Sequence, residues 1–286
     1  MKLGVIPVNF EGSLNVADLA RCVEDLGFES FWLPEHTVVP VNAKTAYPGS
    51  DHGGIPEFMP YMVEPFVGLS MAAAVTDRIL LGTCVSLVPE HNPLVLGKRI
   101  ASLDLLAKGR FIFGIGTGWL EEEAELFKVD FSHRWTQTKE ALEVMRMMWS
   151  QTETSFDGKY YKIKPVYSLI HPVQKPHPPI VIGGSAKSVF KRVVALGDGW
   201  MPIRPTPELI ADGRDTLNRL ALTSGRNPKE IVVTAYDPPQ TIDAIRELKD
   251  AGADRVILRL KPPSGPEVLE ELEQIANKLP DFLNSG

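Results

Sequence analysis

A single (β/α)8 TIM barrel with insertions is the fold class this sequence predicts, on three observations. Eight short, nearly continuous apolar runs recur along the 286 residues, each separated from the next by a longer helical pattern. The two ends of the chain echo one another: ARCVEDLGFESFWL (20–33) and AIRELKDAGADRVIL (244–258) each read as a helix, a glycine stop and a strand. The length is ordinary for one barrel of repeated β-α units, so one domain is expected over 1–286.

The strands expected are LGVIPV (3–8), SFWLPE (30–35), ILLGTCVS (79–86), RFIFGIG (110–116), PIVIGG (179–184), GWMPI (199–203), IVVTAY (231–236) and RVILRL (255–260). Runs apolar at nearly every position suit parallel strands covered on both faces. Ser13 is the expected N-cap of the first helix, which stops at Gly27; Thr241 is the expected cap of a helix that stops at Gly252. Residues 37–63 and 151–178 break the rhythm as insertions. The second contains FDGKYY, a hairpin signal with Asp157-Gly158 at its turn. The first follows a strand, so it belongs on the C-terminal rim, where barrel active sites lie.

The bulk chemistry excludes several function classes. A hydrophobic content of 44%, a charged content of 23% and a net charge of −6 describe a globular chain with no pull toward nucleic acid or an anionic membrane. No apolar run is long enough to span a bilayer, and MKLGVIPVNF reads as a first strand rather than a leader, so the cytoplasm is the expected location. The two cysteines, Cys22 and Cys84, make neither a disulfide framework nor a metal-ligand spacing, and no metal is expected.

Four stretches carry candidate chemistry. GRFIFGIGTGW (109–119) ends a strand in alternating glycines. Its spacing is not the G-x-G-x-x-G of a dinucleotide site, so the glycines either relieve crowding in the barrel mouth or admit a flat or phosphorylated ligand; we favour the ligand. WLPEH (32–36) brings Glu35 and His36 to the rim, and a histidine there can exchange a proton near neutral pH. IGGSAKS (182–188) pairs Gly183 and Gly184 with Ser185 as a helix cap, an anion site built from free N–H groups and a helix dipole, or else an ordinary tight turn. LGTCVSLVPEHNP (81–93) carries Thr83, Cys84 and Val85 late in the third strand, which read as core, and His91-Asn92 as a helix entry before Pro93. Arg204, after the sixth strand, is a partner for a phosphate or carboxylate, or else surface charge. Lys261, beside two prolines, reads as an exposed turn and not as a Schiff-base lysine.

Together these stretches resemble the luciferase-like monooxygenase superfamily, and within it the F420-dependent oxidoreductases. The matching pieces are GFESFWLPEH, ILLGTCVSLVPEHNPLVLGKRIASLDLLAKGRFIFGIGTGW, HRWTQTKEALEVMRMMWS, FDGKYY, PPIVIGGS and GDGW, in order along nearly the whole chain. The resemblance implies a flavin-type ring, F420 or alternatively FMN, at the C-terminal mouth. It implies a non-prolyl cis peptide at Cys84–Val85 pressed against the ring, His36 at the ring's edge as proton donor or hydrogen-bond partner, and Gly183 and Gly184 cradling a phosphate. The cofactor-binding set it implies is Glu35, Thr83, Cys84, Val85, Gly116, Gly118, Gly183, Gly184, Ser185 and Gly199. It also implies a homodimer through the helices after the second and third strands.

One departure bears on the substrate. Some F420-dependent sugar-phosphate dehydrogenases of this family carry an acid in the slot filled here by Trp119, so their acid–base pair is not carried over and sugar-phosphate oxidation is not expected. Glu121, Glu122, Glu123 and Glu125 read instead as a solvated acidic first turn of a helix. Trp119, Tyr61 and Arg204 are the expected substrate-pocket residues. The loop 37–63, with Tyr47, His52, Phe58, Met59 and Tyr61, points to a moderately apolar organic substrate. F420 also has an acidic tail best met by basic residues, and the linear sequence offers no evident basic cluster. The chemistry expected is hydride transfer, with an oxygen-using FMN monooxygenase and a non-catalytic flavin-binding barrel as alternatives. A cofactor-free barrel acting on a phosphorylated substrate is the remaining reading.

Overall fold

The structure, a computed structural model, describes residues 1–8, 10, 15–49, 52–261 and 267–283. Its strands are β1 (Lys2–Ile6), β2 (Ser30–Leu33), β3 (Leu80–Thr83), β4 (Ser86–Leu87), β5 (Phe111–Gly116), β6 (Glu153–Asp157), β7 (Lys162–Tyr167), β8 (Ile180–Gly183), β9 (Gly199–Met201), β10 (Val232–Tyr236) and β11 (Arg255–Arg259). Its helices are α1 (Val16–Asp25), α2 (Pro65–Val75), α3 (Pro93–Leu106), α4 (Glu121–Leu126), α5 (Arg134–Ser150), α6 (Val189–Leu196), α7 (Pro207–Thr223), α8 (Ile242–Asp250), α9 (Glu267–Lys278) and α10 (Pro280–Leu283).

Eight of the strands close a parallel barrel in the order β1-β2-β3-β5-β8-β9-β10-β11, with β11 pairing back onto β1. These are the eight apolar runs of the sequence. The short β4 pairs with β5 and continues β3 beyond an interruption at Cys84–Val85, which is a cis peptide bond as the resemblance implies. β6 and β7 form a separate antiparallel hairpin turning through Gly158–Tyr161.

Two apolar bodies hold this arrangement. The larger lies between barrel and helices and includes Phe31, Phe111, Phe113, Trp149 and Trp200. The smaller fills the barrel interior with Ile6, Val8, Trp32, Ile112, Val181, Met201 and Ile257. Trp32 is fully buried and its indole N–H donates to Ser30 Oγ at 2.7 Å, so burying the ring leaves no orphan donor. The ring needs a glycine beneath it: a Cβ on Gly82 would lie 2.2 Å from Trp32 Cε3.

Local caps follow the sequence with two corrections. Thr241 caps α8, Asn92 caps α3, and Gly27 and Gly252 end their helices at φ +85° and +103°. Ser13 lies outside the described residues; the cap of α1 is Asn15, whose side chain accepts from Ala17 and Asp18 N–H. Ser185 does not cap α6 either. The helix begins four residues later, after Ser188, and the Ser185 hydroxyl pairs with the backbone of Ile203. Arg226 and Arg214 tie helix ends to carbonyls on the opposite, lower side of the barrel.

Candidate functional site

At the C-terminal mouth an open cavity of about 290 Å³ is lined by strand ends and by the loop after β2. This is the low end of the range for small-molecule sites. Three groups of residues shape it.

The first is a histidine–carboxylate pair. β2 ends at Leu33, and Glu35 and His36 follow it into the mouth. His36 Nδ1 lies 2.5 Å from Glu123 Oε2, and both side chains are almost fully buried, at 8% and 0% exposed. Val38 N–H also donates to Glu123, at 3.2 Å. On the other side of the ring, Trp119 Nε1–H donates to His36 Nε2 at 3.3 Å. An indole nitrogen only donates, so Nε2 is the acceptor and a neutral ring carries its hydrogen on Nδ1, toward Glu123. The solvated reading of the acidic turn is therefore corrected at Glu123. It is corrected at Glu122 as well: the Lys44 N–H, with the Thr45 hydroxyl and N–H, holds that carboxyl down to about 2. The first turn of α4 thus fastens the loop after β2 across the mouth.

Glu35 plays a different part from His36. Its carboxylate accepts from Ser86 Oγ (2.9 Å), Leu87 N–H (2.6 Å) and His91 Nε2 (2.9 Å). Burial alone would raise its pKa, but the hydrogen bond and charge of His91, with the other two donors, outweigh it and hold the acid below the usual range. Glu35 lines the cavity, but its carboxylate is committed to bracing β4 behind the bulge.

The second group is the bulge itself. Cys84 and Val85 line the cavity; burial pushes the Cys84 thiol far above its ordinary value, and its S–H points to Met201 Sδ at 3.6 Å. Such a thiol is inert packing and not a nucleophile. Thr83 is corrected: it is fully buried, donates to Gly114 O at 2.7 Å and does not reach the cavity. The alternating glycines have a local cause in the same bulge. A Cβ on Gly114 would fall 1.9 Å from Thr83 O, and one on Gly116 would fall 2.6 Å from Val85 Cγ2. Gly116 and Gly118 line the cavity; Gly116 makes room for Val85, and Gly118 holds φ +78°. Gly199 is also corrected: it packs against Val232 O inside the barrel wall and does not line the cavity.

The third group is the end of β8. Gly183, Gly184 and Ser185 all line the cavity, and at Gly184 (φ +124°) the Cβ direction is open space. Gly184 N–H is already bonded to Met201 O at 3.0 Å, so it is not a free donor. The N–H groups of Ser185, Ala186 and Lys187 take no acceptor among the described residues. Arg192 of α6 lines the same end and lies 4.4 Å over the Trp135 ring. Lys187 and Lys191, nearby in sequence, are exposed and do not line the cavity.

The rest of the lining is apolar with hydroxyls. Val8, Phe58, Met59, Met62 and Ile203 belong to it, together with Tyr47 and Tyr236. Burial pushes both phenols up, so each is an O–H donor at neutral pH. Tyr47 packs on Trp119 with centroids 5.2 Å apart. Tyr61 is corrected: it is 45% exposed and outside the cavity, and Tyr47 of the same loop takes the place expected for it. Arg204 is also outside; its guanidinium donates to Gly49 O at 3.3 Å and holds the loop. Among the described residues no group of His, Cys, Asp or Glu is arranged to hold a metal ion, and no helix is long and apolar enough to cross a membrane.

Comparison with known proteins agrees with this geometry. The model of the luciferase-like monooxygenase family matches residues 11–260. An uncharacterized Mycobacterium tuberculosis protein is 34% identical over 283 residues, 98% of this chain and 99% of its own. An F420-dependent glucose-6-phosphate dehydrogenase of Kineococcus radiotolerans is 30% identical over 190 residues, 65% of this chain and 51% of its own. Among solved structures, a monooxygenase from Streptomyces bottropensis superposes with a TM-score of 0.78 at 20% identity, covering 98% of this chain and 99% of its own. The F420-dependent tetrahydromethanopterin reductase of Methanopyrus kandleri superposes at 0.76 and 17% identity with the same coverage. Barrel, strand-three bulge and family match coincide over nearly the whole chain, which belongs to the luciferase-like monooxygenase family.

Proposed function

We propose that this chain is an oxidoreductase that binds the deazaflavin F420, with FMN as the alternative, and moves a hydride between that ring and an uncharged organic substrate. The observation that carries the reading is the His36–Glu123 pair, oriented so that Nε2 is the acceptor, on a cavity bounded by the Cys84–Val85 bulge. The residues fit such a group: Gly184 leaves an open cradle, and Arg192 with the N–H groups after it suits a phosphate. The ring, when bound, supplies the hydride acceptor or donor. His36 Nε2 takes the proton of an alcohol, or returns one to a carbonyl, while Glu123 stabilises the imidazolium that results. A substrate reaching Nε2 displaces the Trp119 N–H from it. Tyr47 and Tyr236 donate to neutral oxygen atoms. Among the described residues, the charged side chains on the cavity are Glu35, already committed, and Arg192 at the phosphate end, which favours a neutral substrate. The similarity to F420-dependent relatives favours F420 over FMN.

The partner in this reading is a second copy of the chain. Val67 and Met71 on α2 and Val95 on α3 are exposed on neighbouring helices, and light scattering should give about twice 31.6 kDa. The cofactor assignment is tested by titrating the purified protein with F420 and with FMN, followed by fluorescence. Tighter binding of F420 is expected. Binding of FMN alone would redirect the reading to oxygen consumption, and binding of neither at micromolar concentration would overturn it.

A further inference from the structure

Behind the His36–Glu123 pair lies a third acid that the chemistry above does not use. Glu90 follows β4 in a single turn, Val88–Glu90, packed against α5, where Gln137 Nε2 donates to Pro89 O at 3.3 Å. Both Glu90 carboxyl oxygens are buried and, among the described residues, neither has a hydrogen-bond partner. Oε1 would lie 3.2 Å from a Cβ on Gly118, so the carboxyl sits directly behind the cavity wall. The charged groups that bear on it are both acids, Glu123 of α4 and Glu35 after β2. His91 is turned to Glu35 and His36 to Glu123, and the Arg134 guanidinium of α5 is committed to Thr117 and Phe131.

Three neighbouring carboxyls in a low-dielectric interior do not all ionise together. Donor count decides which keeps its proton. Among the described residues, Glu35 has three donors, Glu123 has two and Glu90 has none. We propose that Glu90 stays protonated at neutral pH and keeps a single negative charge behind His36, acting as a positioning residue for the proton acceptor. Burial first, then the charges of Glu123 and Glu35, push its carboxyl up to about 9, in line with this geometry. While Glu90 is neutral, Glu123 alone faces the imidazole. Once Glu90 ionises, a second charge tightens the hold on any proton at His36 and slows its return to substrate. The functional consequence rests on the hydride-transfer reading; the protonation state does not.

The test therefore uses the cofactor-free protein. Infrared spectra of the wild type at pH 7 should show the C=O stretch of a buried carboxylic acid, absent in Glu90→Gln and titrating away in the wild type near pH 9. In ¹⁵N-histidine NMR, the His36 ring shifts should step at that same pH in the wild type and not in Glu90→Gln. Absence of the acid band at neutral pH overturns the proposal, and the wild-type titration decides this even if the variant folds poorly. Identical His36 shifts in both proteins overturn the positioning role. Failure of the hydride-transfer reading would show separately, as absent cofactor binding.

Discussion

Trp119 and Glu123 reach His36 from opposite sides, and between them they decide where its hydrogen sits. Replacing Glu123 by Gln keeps an acceptor but removes the negative charge that would stabilise the imidazolium, and should lower turnover about 10²- to 10⁴-fold while leaving cofactor affinity nearly unchanged. Steady-state kinetics beside a binding titration check both halves of that expectation. His36 was legible in the sequence because WLPEH places it just past a strand. Glu123 was not, since its partner is 87 positions away and the three consecutive glutamates look alike. A signal did exist: Leu120, Glu123 and Ala124 are spaced i, i+3, i+4, one buried helical face. The glycines were legible as a feature but not as a cause. Gly114→Ala collides with the Thr83 carbonyl and should destabilise the protein by about 1–3 kcal/mol, measured by denaturant unfolding.

At the scale of elements, the cation on the cavity comes from α6. Arg192 is stacked on Trp135 and lines the cavity, so Arg192→Ala should weaken binding of a phosphate-bearing cofactor by about 1.5–3 kcal/mol, roughly 10- to 100-fold. Fluorescence titration reads this directly, and an unchanged affinity would remove Arg192 from the site. All eight barrel strands were legible, because apolar runs with turn signals at both ends record burial on two faces. The start of α6 was misplaced because a serine beside a strand-ending glycine pair has the composition of a cap. Its hydroxyl found the Ile203 backbone instead, a contact 18 residues away. The loop after β2 was legible as a rim element. Which of its tyrosines enters the cavity was not, because that depends on how Glu122 and Arg204 fasten it.

For the whole molecule, two buried acids pull the pH dependence of stability in opposite directions. Glu35 is held below its ordinary range in the fold, so its contribution is present above the unfolded carboxyl value of about 4.3 and is lost as pH falls through the folded value. Glu35→Gln should cost about 1.5–3 kcal/mol at pH 7, with the gap to wild type closing in acid. Glu90 is raised, so the folded state binds a proton that the unfolded chain has released between roughly pH 4.3 and 9. Stability conferred by its protonated form is fully present only at the acid end of that window and falls as pH rises. Thermal melts should therefore show Glu90→Gln gaining on the wild type from pH 5 to 9. Closure of the barrel and the family followed from patterns spread along the chain, whereas these acid neighbourhoods exist only once β2, β4 and α4 converge. The measurement that tests the central claim most directly is the tautomer of His36, read from its ring ¹⁵N shifts in the cofactor-free protein at pH 8. A hydrogen on Nδ1 with a bare Nε2 is the predicted result; a hydrogen on Nε2 would leave no proton acceptor facing the cavity and would contradict the proposed chemistry.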